Sequence, residues 1–391
     1  MTNDTQHCSH FGRCGGCSLL DVPIATQLAN KQARAAALLA EHLDGRAPEI
    51  SLPPRPPRHD RISILYPVQP RGRGKALGIY RAGTHQVEAI HDCRIQHKAL
   101  TRFGVRAGEV LARSPVPAYD ETNGTGVLRA VRARVMPGTG ELLVGAVATT
   151  SRFAHRDALI AALADAASDL RDDQGRPLQL VGTLLNVNER PGNALLGDKT
   201  IALFGQPWQH DRVGDLALRV HFESFYQQHR HTEAVLFRPA LELLGDVAGL
   251  HIVDGYGGVG TFALRLLRAG AAHVTLIESA PTAAADARWN LAENGFDERS
   301  EVRAQPFGQS PLPACDLVVA DPPRKGLGAD GADAILAAAP PRVLLVSCEL
   351  EALQRDLDAL ATAYRVTALR LCDLFPHTEH IEALTLLERL G

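Results

Sequence analysis

The sequence predicts an α/β chain: a Rossmann-like, doubly wound sheet in the second half, and a β-rich domain behind a cysteine-rich segment in the first. Three observations predict it. Beyond about residue 230, short apolar runs alternate with Ala-rich helical stretches, at 250–254, 261–269, 273–278, 283–293, 316–320, 332–338, 342–346 and 350–360. Such alternation builds parallel strands joined by crossover helices. Two further apolar runs, 365–371 and 381–388, have no helix between them and predict a terminal antiparallel pair. Between about 60 and 205, apolar runs at 62–66, 76–80, 142–147 and 180–187 are separated by Gly- and Pro-rich turns and read as strands.

The elements follow in order. Residues 24 to about 43 form an amphipathic helix with Asp44-Gly45 as its stop, and the linker Pro53-Pro54-Arg55-Pro56-Pro57 comes next. A helix at 156–167 interrupts the strands, and another at 232–244 leads into the second half. The expected domains are a cysteine-rich segment and helix at 1–50, a β-rich domain at 51–220 and an α/β domain at 221–391.

Composition narrows the function. The 391 residues are 45% hydrophobic and 22% charged, as in a globular rather than a disordered protein. No apolar run reaches the roughly 20 residues of a membrane helix. The first residues, Met1 to Cys8, lack a signal pattern, so a cytoplasmic location is expected, with reduced thiols. Seven cysteines at uneven spacing argue against a disulfide framework and for metal or catalytic roles. The net charge of −3 hides an asymmetry: residues 241–391 carry 21 acids and 12 bases, leaving 23 acids and 29 bases in 1–240. Arg55, Arg58, Arg61, Arg71, Arg73, Lys75 and Arg81 cluster against one acid, Asp60. This is either a solvated surface or a footprint for a phosphate backbone.

The chemistry concentrates at predicted strand ends, where parallel sheets bind ligands. The first strand of the second half runs into Asp254-Gly255-Tyr256-Gly257-Gly258-Val259-Gly260, and Glu278 ends the second, placed to accept from ribose hydroxyls. The glycine spacing suits NAD and S-adenosylmethionine (SAM) alike; the terminal strand pair favours SAM. Asp321-Pro322-Pro323-Arg324-Lys325-Gly326 follows another strand, and Ser347-Cys348 ends the next, just before a helix whose N-terminus would favour a thiolate. Cys315 and Cys372 read as core. The loop Phe375-Pro376-His377-Thr378-Glu379-His380-Ile381-Glu382 supplies one base, or a metal site through His377 and His380.

These residues resemble the SAM-dependent RNA uracil-C5 methyltransferases, which form 5-methyluridine. Ser224-Phe225-Tyr226-Gln227 resembles the family's S-F-x-Q element. Residues 254–260 resemble D-L-[YF]-C-G-x-G, with Gly255 for an apolar residue and Gly257 for cysteine. Asp321-Pro322-Pro323-Arg324, Ser347-Cys348 and His377-Thr378-Glu379-His380-Ile381-Glu382 match closely. Cys8, Cys14, Cys17 and Cys93 resemble the [4Fe–4S] site of the family's ribosomal-RNA branch. By spacing alone these four thiols suit zinc equally. Many relatives carry an extra β-barrel RNA-binding module before the cysteines; only seven residues precede Cys8 here, so no such module is expected.

The resemblance implies Cys348 as nucleophile on uracil C6 and Glu382 as acceptor of the C5 proton. It implies a SAM site formed by Gln227, Tyr256, Gly258, Gly260, Glu278 and Asp321, with Asp321 and Gln227 also near the base. The implied substrate is RNA, ribosomal first and tRNA second, with no DNA and no membrane. An NAD-dependent iron–sulfur oxidoreductase and a non-catalytic zinc RNA-binding protein are the remote alternatives. Gln305-Pro306-Phe307, after the third strand, has no expected role.

Overall fold

The computed structural model describes residues 8–192 and 195–391, so the expectation of no leader, resting on residues 1–7, lies outside the described residues. The first helix, α1 (Ile24–Leu38), runs into a single turn, α2 (Ala40–Leu43), that ends with Asp44 in the left-handed conformation and Gly45 at a φ of 76°. The predicted stop acts as such. A short strand, β1 (Glu49–Ser51), follows.

The middle of the chain runs β2 (Ser63–Arg71), β3 (Gly74–Tyr80), β4 (Val87–Ala89), α3 (Lys98–Arg113), β5 (Leu128–Val135), β6 (Glu141–Ala148), α4 (Arg156–Ala167), β7 (Gln179–Val187) and β8 (Lys199–Gly205). Its sheet has the spatial order β4-β3-β2-β5-β6-β7-β8. Only β6 and β7 pair in parallel, across α4. Leu100, Phe103, Ala107 and Leu111 of α3 pack with Val131 of β5 and Leu163 of α4 in one core. Neither α3 nor β5 is among the predicted elements. Arginines at 129, 132 and 134 break the apolar pattern of β5, yet all its residues are buried. Arg134 succeeds there because its guanidinium donates to Gln209 Oε1 and to the carbonyls of Val220, His221 and Ser224. Burial draws its pKa down to about 9.

A hairpin of β9 (Trp208–Val213) and β10 (Leu216–His221) leads to a π-helical turn at Glu233–Phe237 and to α5 (Arg238–Leu244). The second half then runs β11 (His251–Gly255), α6 (Thr261–Arg268), β12 (His273–Ile277), α7 (Pro281–Glu293), β13 (Ser300–Arg303), β14 (Leu317–Ala320), α8 (Gly328–Ala338), β15 (Arg342–Ser347), α9 (Leu350–Leu360), β16 (Tyr364–Cys372) and β17 (Glu382–Arg389). Its sheet has the order β13-β12-β11-β14-β15-β17-β16-β1. Strands β11 to β15 are parallel, and β17 inserts antiparallel between β15 and β16, as the terminal apolar pair predicts. The edge strand β1 pairs with β16, and Ala35, Leu39 and Leu43 join Val253, Val318 and Leu345 in one core. Residues 24–51 thus belong physically to the second-half sheet. Its strand order reverses between β11 and β14, which opens a ligand crevice at their carboxyl ends.

Candidate active site

Everything at the crevice follows from where each strand stops. Asp254 is the penultimate residue of β11, fully buried; its Oδ2 accepts from the Ala263 N–H at 2.9 Å in the first turn of α6, and Oδ1 has no partner among the described residues. Burial, with Asp321 and Glu278 nearby, raises its pKa to about 8. Tyr256 takes a left-handed φ of 58°, and Gly258 and Gly260 lie at 55° and 87°, so the turn coils tightly into α6. Glu278, just beyond β12, accepts from the Gly258 N–H at 2.9 Å and from the Ala280 N–H at 2.6 Å. It therefore braces the glycine turn with one oxygen and the chain just ahead of α7 with the other.

The two departures from the family motif have a steric reason. A Cβ at Gly255 would lie 2.5 Å from the Phe307 ring, and one at Gly257 would lie 2.4 Å from Leu276 Cγ. Phe307 fills the volume that a larger residue at 255 would take, and its ring packs 5.0 Å from that of Tyr256. The unassigned run 305–307 thereby acquires a role that only tertiary packing reveals.

Asp321 follows β14 and is half-buried, and desolvation of its carboxyl raises its pKa to about 7. The β15–β17 ladder ends at Ser347↔Ala383. Continuing that register sets Cys348 across from Glu382, where antiparallel partners are roughly 5 Å apart. Glu382 is buried with Oε2 unpartnered; burial and then Asp321 raise its pKa to about 8, opposed by Arg324. The Cys348 thiol is pushed up to about 11, first by burial and then by Glu382, again opposed by Arg324. This corrects the expected thiolate: the start of α9 does not offset burial beside a carboxylate. Arg324, exposed in the loop after Asp321, is the cation facing both groups. Sequence reasoning had it only as a motif letter.

Tyr226 packs against Val259 of the glycine turn, which brings the 224–227 segment beside that turn. Ser224 Oγ donates to Asp286 at 2.8 Å and the Tyr226 hydroxyl to Asp211 at 2.8 Å. Gln227 itself lines a neighbouring cavity of about 290 Å³ with Tyr226, Glu233 and Arg265; none of Asp254, Glu278 or Asp321 lines it. His377 and His380 do not pair. His377 is buried at a φ of 64° and joined to Gln27, while His380 stacks edge-on to Phe375.

Cys8, Cys14, Cys17 and Cys93 line one small cavity with Arg61, Ile79 and Ile90. Burial and mutual repulsion raise the Cys17 thiol to about 12. Backbone N–H groups of Gly16 and Gln96 reach Cys14 Sγ at 3.3 Å and Cys93 Sγ at 3.5 Å. Among the described residues, no group of three or more His, Cys, Asp or Glu side chains is positioned to hold a metal ion.

The tRNA (Uracil-5-)-methyltransferase family model matches residues 312–390, which span Asp321, Cys348 and Glu382. An uncharacterized RNA methyltransferase of Halalkalibacterium halodurans is 30% identical over 97% of this chain and 82% of its own length. One of Gloeobacter violaceus is 31% identical over 98% and 82%. The Pyrococcus abyssi tRNA (uracil-54, C5)-methyltransferase, solved with S-adenosyl-L-homocysteine, has the same fold, with a TM-score of 0.74 over 95% of this chain and 85% of that one at 24% identity. These likenesses set aside the oxidoreductase and the non-catalytic alternatives. With a methyltransferase sheet, a motif-bearing crevice and relatives alike over nearly all of this chain, the chain belongs to the SAM-dependent RNA uracil-C5 methyltransferases.

Proposed function

We propose that the protein methylates C5 of a uridine in ribosomal RNA through a covalent bond between Cys348 and uracil C6. The observation that carries this is the register that sets Cys348 opposite Glu382 with Asp321 beside them. SAM supplies an electrophilic methyl group on a cationic sulfonium. The Cys348 thiolate adds to C6, and the displaced ring electrons form an enolate whose C5 takes the methyl as the S–CH3 bond breaks, its electron pair returning to sulfur to leave S-adenosyl-L-homocysteine. Glu382 accepts the C5 proton; the C–H electrons restore the C5–C6 double bond as the C6–S bond breaks, returning the thiolate. Arg324 favours the thiolate and the carboxylate. Tyr256, Gly258, Gly260, Glu278 and Asp321 form the SAM site, with Glu278 toward the ribose; Gln227, which lines the neighbouring cavity, joins the site by turning toward it when SAM binds. The uridine has to leave its stack to arrive there.

For Cys8, Cys14, Cys17 and Cys93 the [4Fe–4S] reading rests on the resemblance; in its support the four residues line one cavity and the Cys14 and Cys93 sulfurs receive backbone N–H groups that favour thiolates, while the side chains as placed do not form a metal site. In this reading the cysteine-rich segment ahead of α1 carries the cluster, 51–220 hold RNA and supply the fourth thiol, 221–391 catalyse with α1 and β1 joined to their sheet, and the protein acts in the cytoplasm. The ribosomal reading rests on the likeness of this cysteine set to that branch. A tRNA substrate is the second reading, favoured by the names of the matching family and of the Pyrococcus enzyme.

Two experiments test this. Mapping 5-methyluridine in total RNA with and without the gene should remove one ribosomal site; loss of a tRNA site alone refutes the ribosomal substrate. Cys348→Ala should abolish methylation and adduct, whereas Glu382→Gln should methylate, fail to eliminate, and accumulate an enzyme–RNA species on denaturing gels. An active Cys348→Ala enzyme would refute the mechanism.

A further inference from the structure

The reading as an RNA methyltransferase underlies a second site. We propose that a cavity on the β-rich domain captures one unstacked nucleobase of the RNA substrate, with guanine preferred. The cavity, about 170 Å³, is lined by Tyr80, Tyr119, Glu121 and Arg129, with Gln69 and His85 at its wall.

Its walls have the character of a base site. Tyr80 and His85 rings lie 5.6 Å apart, and the Arg129 guanidinium sits 4.7 Å over the Tyr119 ring. Arg129 is itself buried and held by the carbonyls of Asn188, Arg190 and Gly192, so Tyr119 rests on a fixed cation. Aromatic faces of this kind stack bases of single-stranded RNA.

Its polar groups choose among bases. Asp120 is already engaged by Thr122 and Asn123. Glu121 keeps acceptor capacity: the Tyr80 hydroxyl is a long 3.4 Å away and the His85 ring 3.0 Å. A carboxylate only accepts, and guanine alone offers two adjacent donors, N1–H and the 2-amino group, on its Watson–Crick edge.

Its position suits a nucleotide near the target. The Gly15 N–H bonds to the Tyr80 carbonyl, and the Leu19 N–H bonds to the His377 carbonyl, each at 2.9 Å. The four chain steps from Gly15 to Leu19 span at most about 14 Å. The wall of the cavity and the loop before Glu382 are therefore a few unstacked nucleotides apart.

The test uses octamers of uridine carrying one central guanosine, inosine, adenosine, cytidine or uridine. They are titrated by fluorescence anisotropy into protein loaded with S-adenosyl-L-homocysteine. The guanosine octamer should bind about tenfold tighter than all-uridine, with inosine between. Glu121→Gln should erase that preference and leave all-uridine binding unchanged. Tyr80→Ala should weaken every octamer, roughly 5- to 100-fold for the guanosine one. With bulk RNA, Glu121→Gln should raise KM with kcat unchanged. Equal binding of all octamers, or a preference that survives Glu121→Gln, overturns the subsite. Failure of the wild type to methylate any RNA would overturn the underlying reading instead.

Discussion

Three carboxyls at the strand ends, Asp254, Asp321 and Glu382, have their pKa values raised to about 8, 7 and 8 by burial. The crevice holds them near the protonation boundary at neutral pH, and a cationic sulfonium is the ligand that tips them to the charged form. SAM should therefore bind with net proton release below about pH 8, with an affinity that rises with pH. S-adenosyl-L-homocysteine, with a neutral sulfur, should show a weaker dependence. Calorimetry in buffers of different ionisation enthalpy checks both. The stability of the free protein has the opposite sign. The folded state keeps these protons between about pH 4 and 8, where the unfolded chain has lost them, so these groups make stability fall as pH rises through that window. Thermal melting at pH 6 and 8, with and without SAM, should show SAM stabilising more at the higher pH. Cys348 is charged in the same sense: its raised thiol requires Arg324 and the bound cation. Arg324→Gln should shift the alkaline limb of its alkylation rate upward in pH.

At the scale of elements, the loop between β16 and β17 is held by the first helix. Lys31 of α1 donates to Asp373 at 2.7 Å and to the Phe375 carbonyl at 3.1 Å, with both charged groups buried. Gln27 of the same helix accepts from the His377 N–H at 2.9 Å and donates to the Leu19 and Val22 carbonyls at 2.7 Å. The loop that leads into Glu382 thus takes its shape from residues some 350 positions earlier. Removing one partner of a buried pair strands the other charge. Lys31→Met should cost about 3 kcal/mol, read as a lower urea midpoint with unchanged slope. Gln27→Ala should fold, yet lower kcat roughly tenfold while leaving SAM affinity intact, since only the loop's orientation is disturbed.

Across the whole molecule, residues 8–22 tie the two sheets together. Cys14 bridges to Arg81, and buried Glu88 accepts from Arg13 at 2.9 Å and Arg81 at 2.9 Å, which holds its pKa down at about 2. Leu19 meets the His377 loop at the other end. A cluster on the four cysteines would stiffen this tie, since metal-site binding contributes folding free energy. Cys17→Ser should lower iron content and raise hydrogen exchange in residues 373–380; protection unchanged there would separate the cysteines from the loop. The basic run disperses in the fold. Arg55 pairs with Asp60, Arg81 with Glu88, Lys75 donates to the Leu111 and Ser114 carbonyls, and Arg61 lines the cysteine cavity. Arg58, Arg71 and Arg73 make no side-chain ion pair or hydrogen bond among the described residues. Neutralising those three should flatten the salt dependence of RNA binding by about 2 in log–log slope. An unchanged slope would take them off the RNA path.

The sequence by itself determined the second-half sheet, its terminal antiparallel pair and the strand-end placement of Asp254, Asp321, Cys348 and Glu382. Apolar periodicity and glycine turns are local signals, and these elements obey them. What only the tertiary structure decided was non-local. Strand β5 is hidden in sequence because its arginines are legible as buried only once the carbonyls that Arg134 meets are in place. Phe307 matters because it fills the space that Gly255 leaves. The protonation of Cys348 is set by burial beside Glu382, which outweighs the helix start that the sequence shows. In each case the deciding partner lies far along the chain, where spacing carries no information and packing carries all of it.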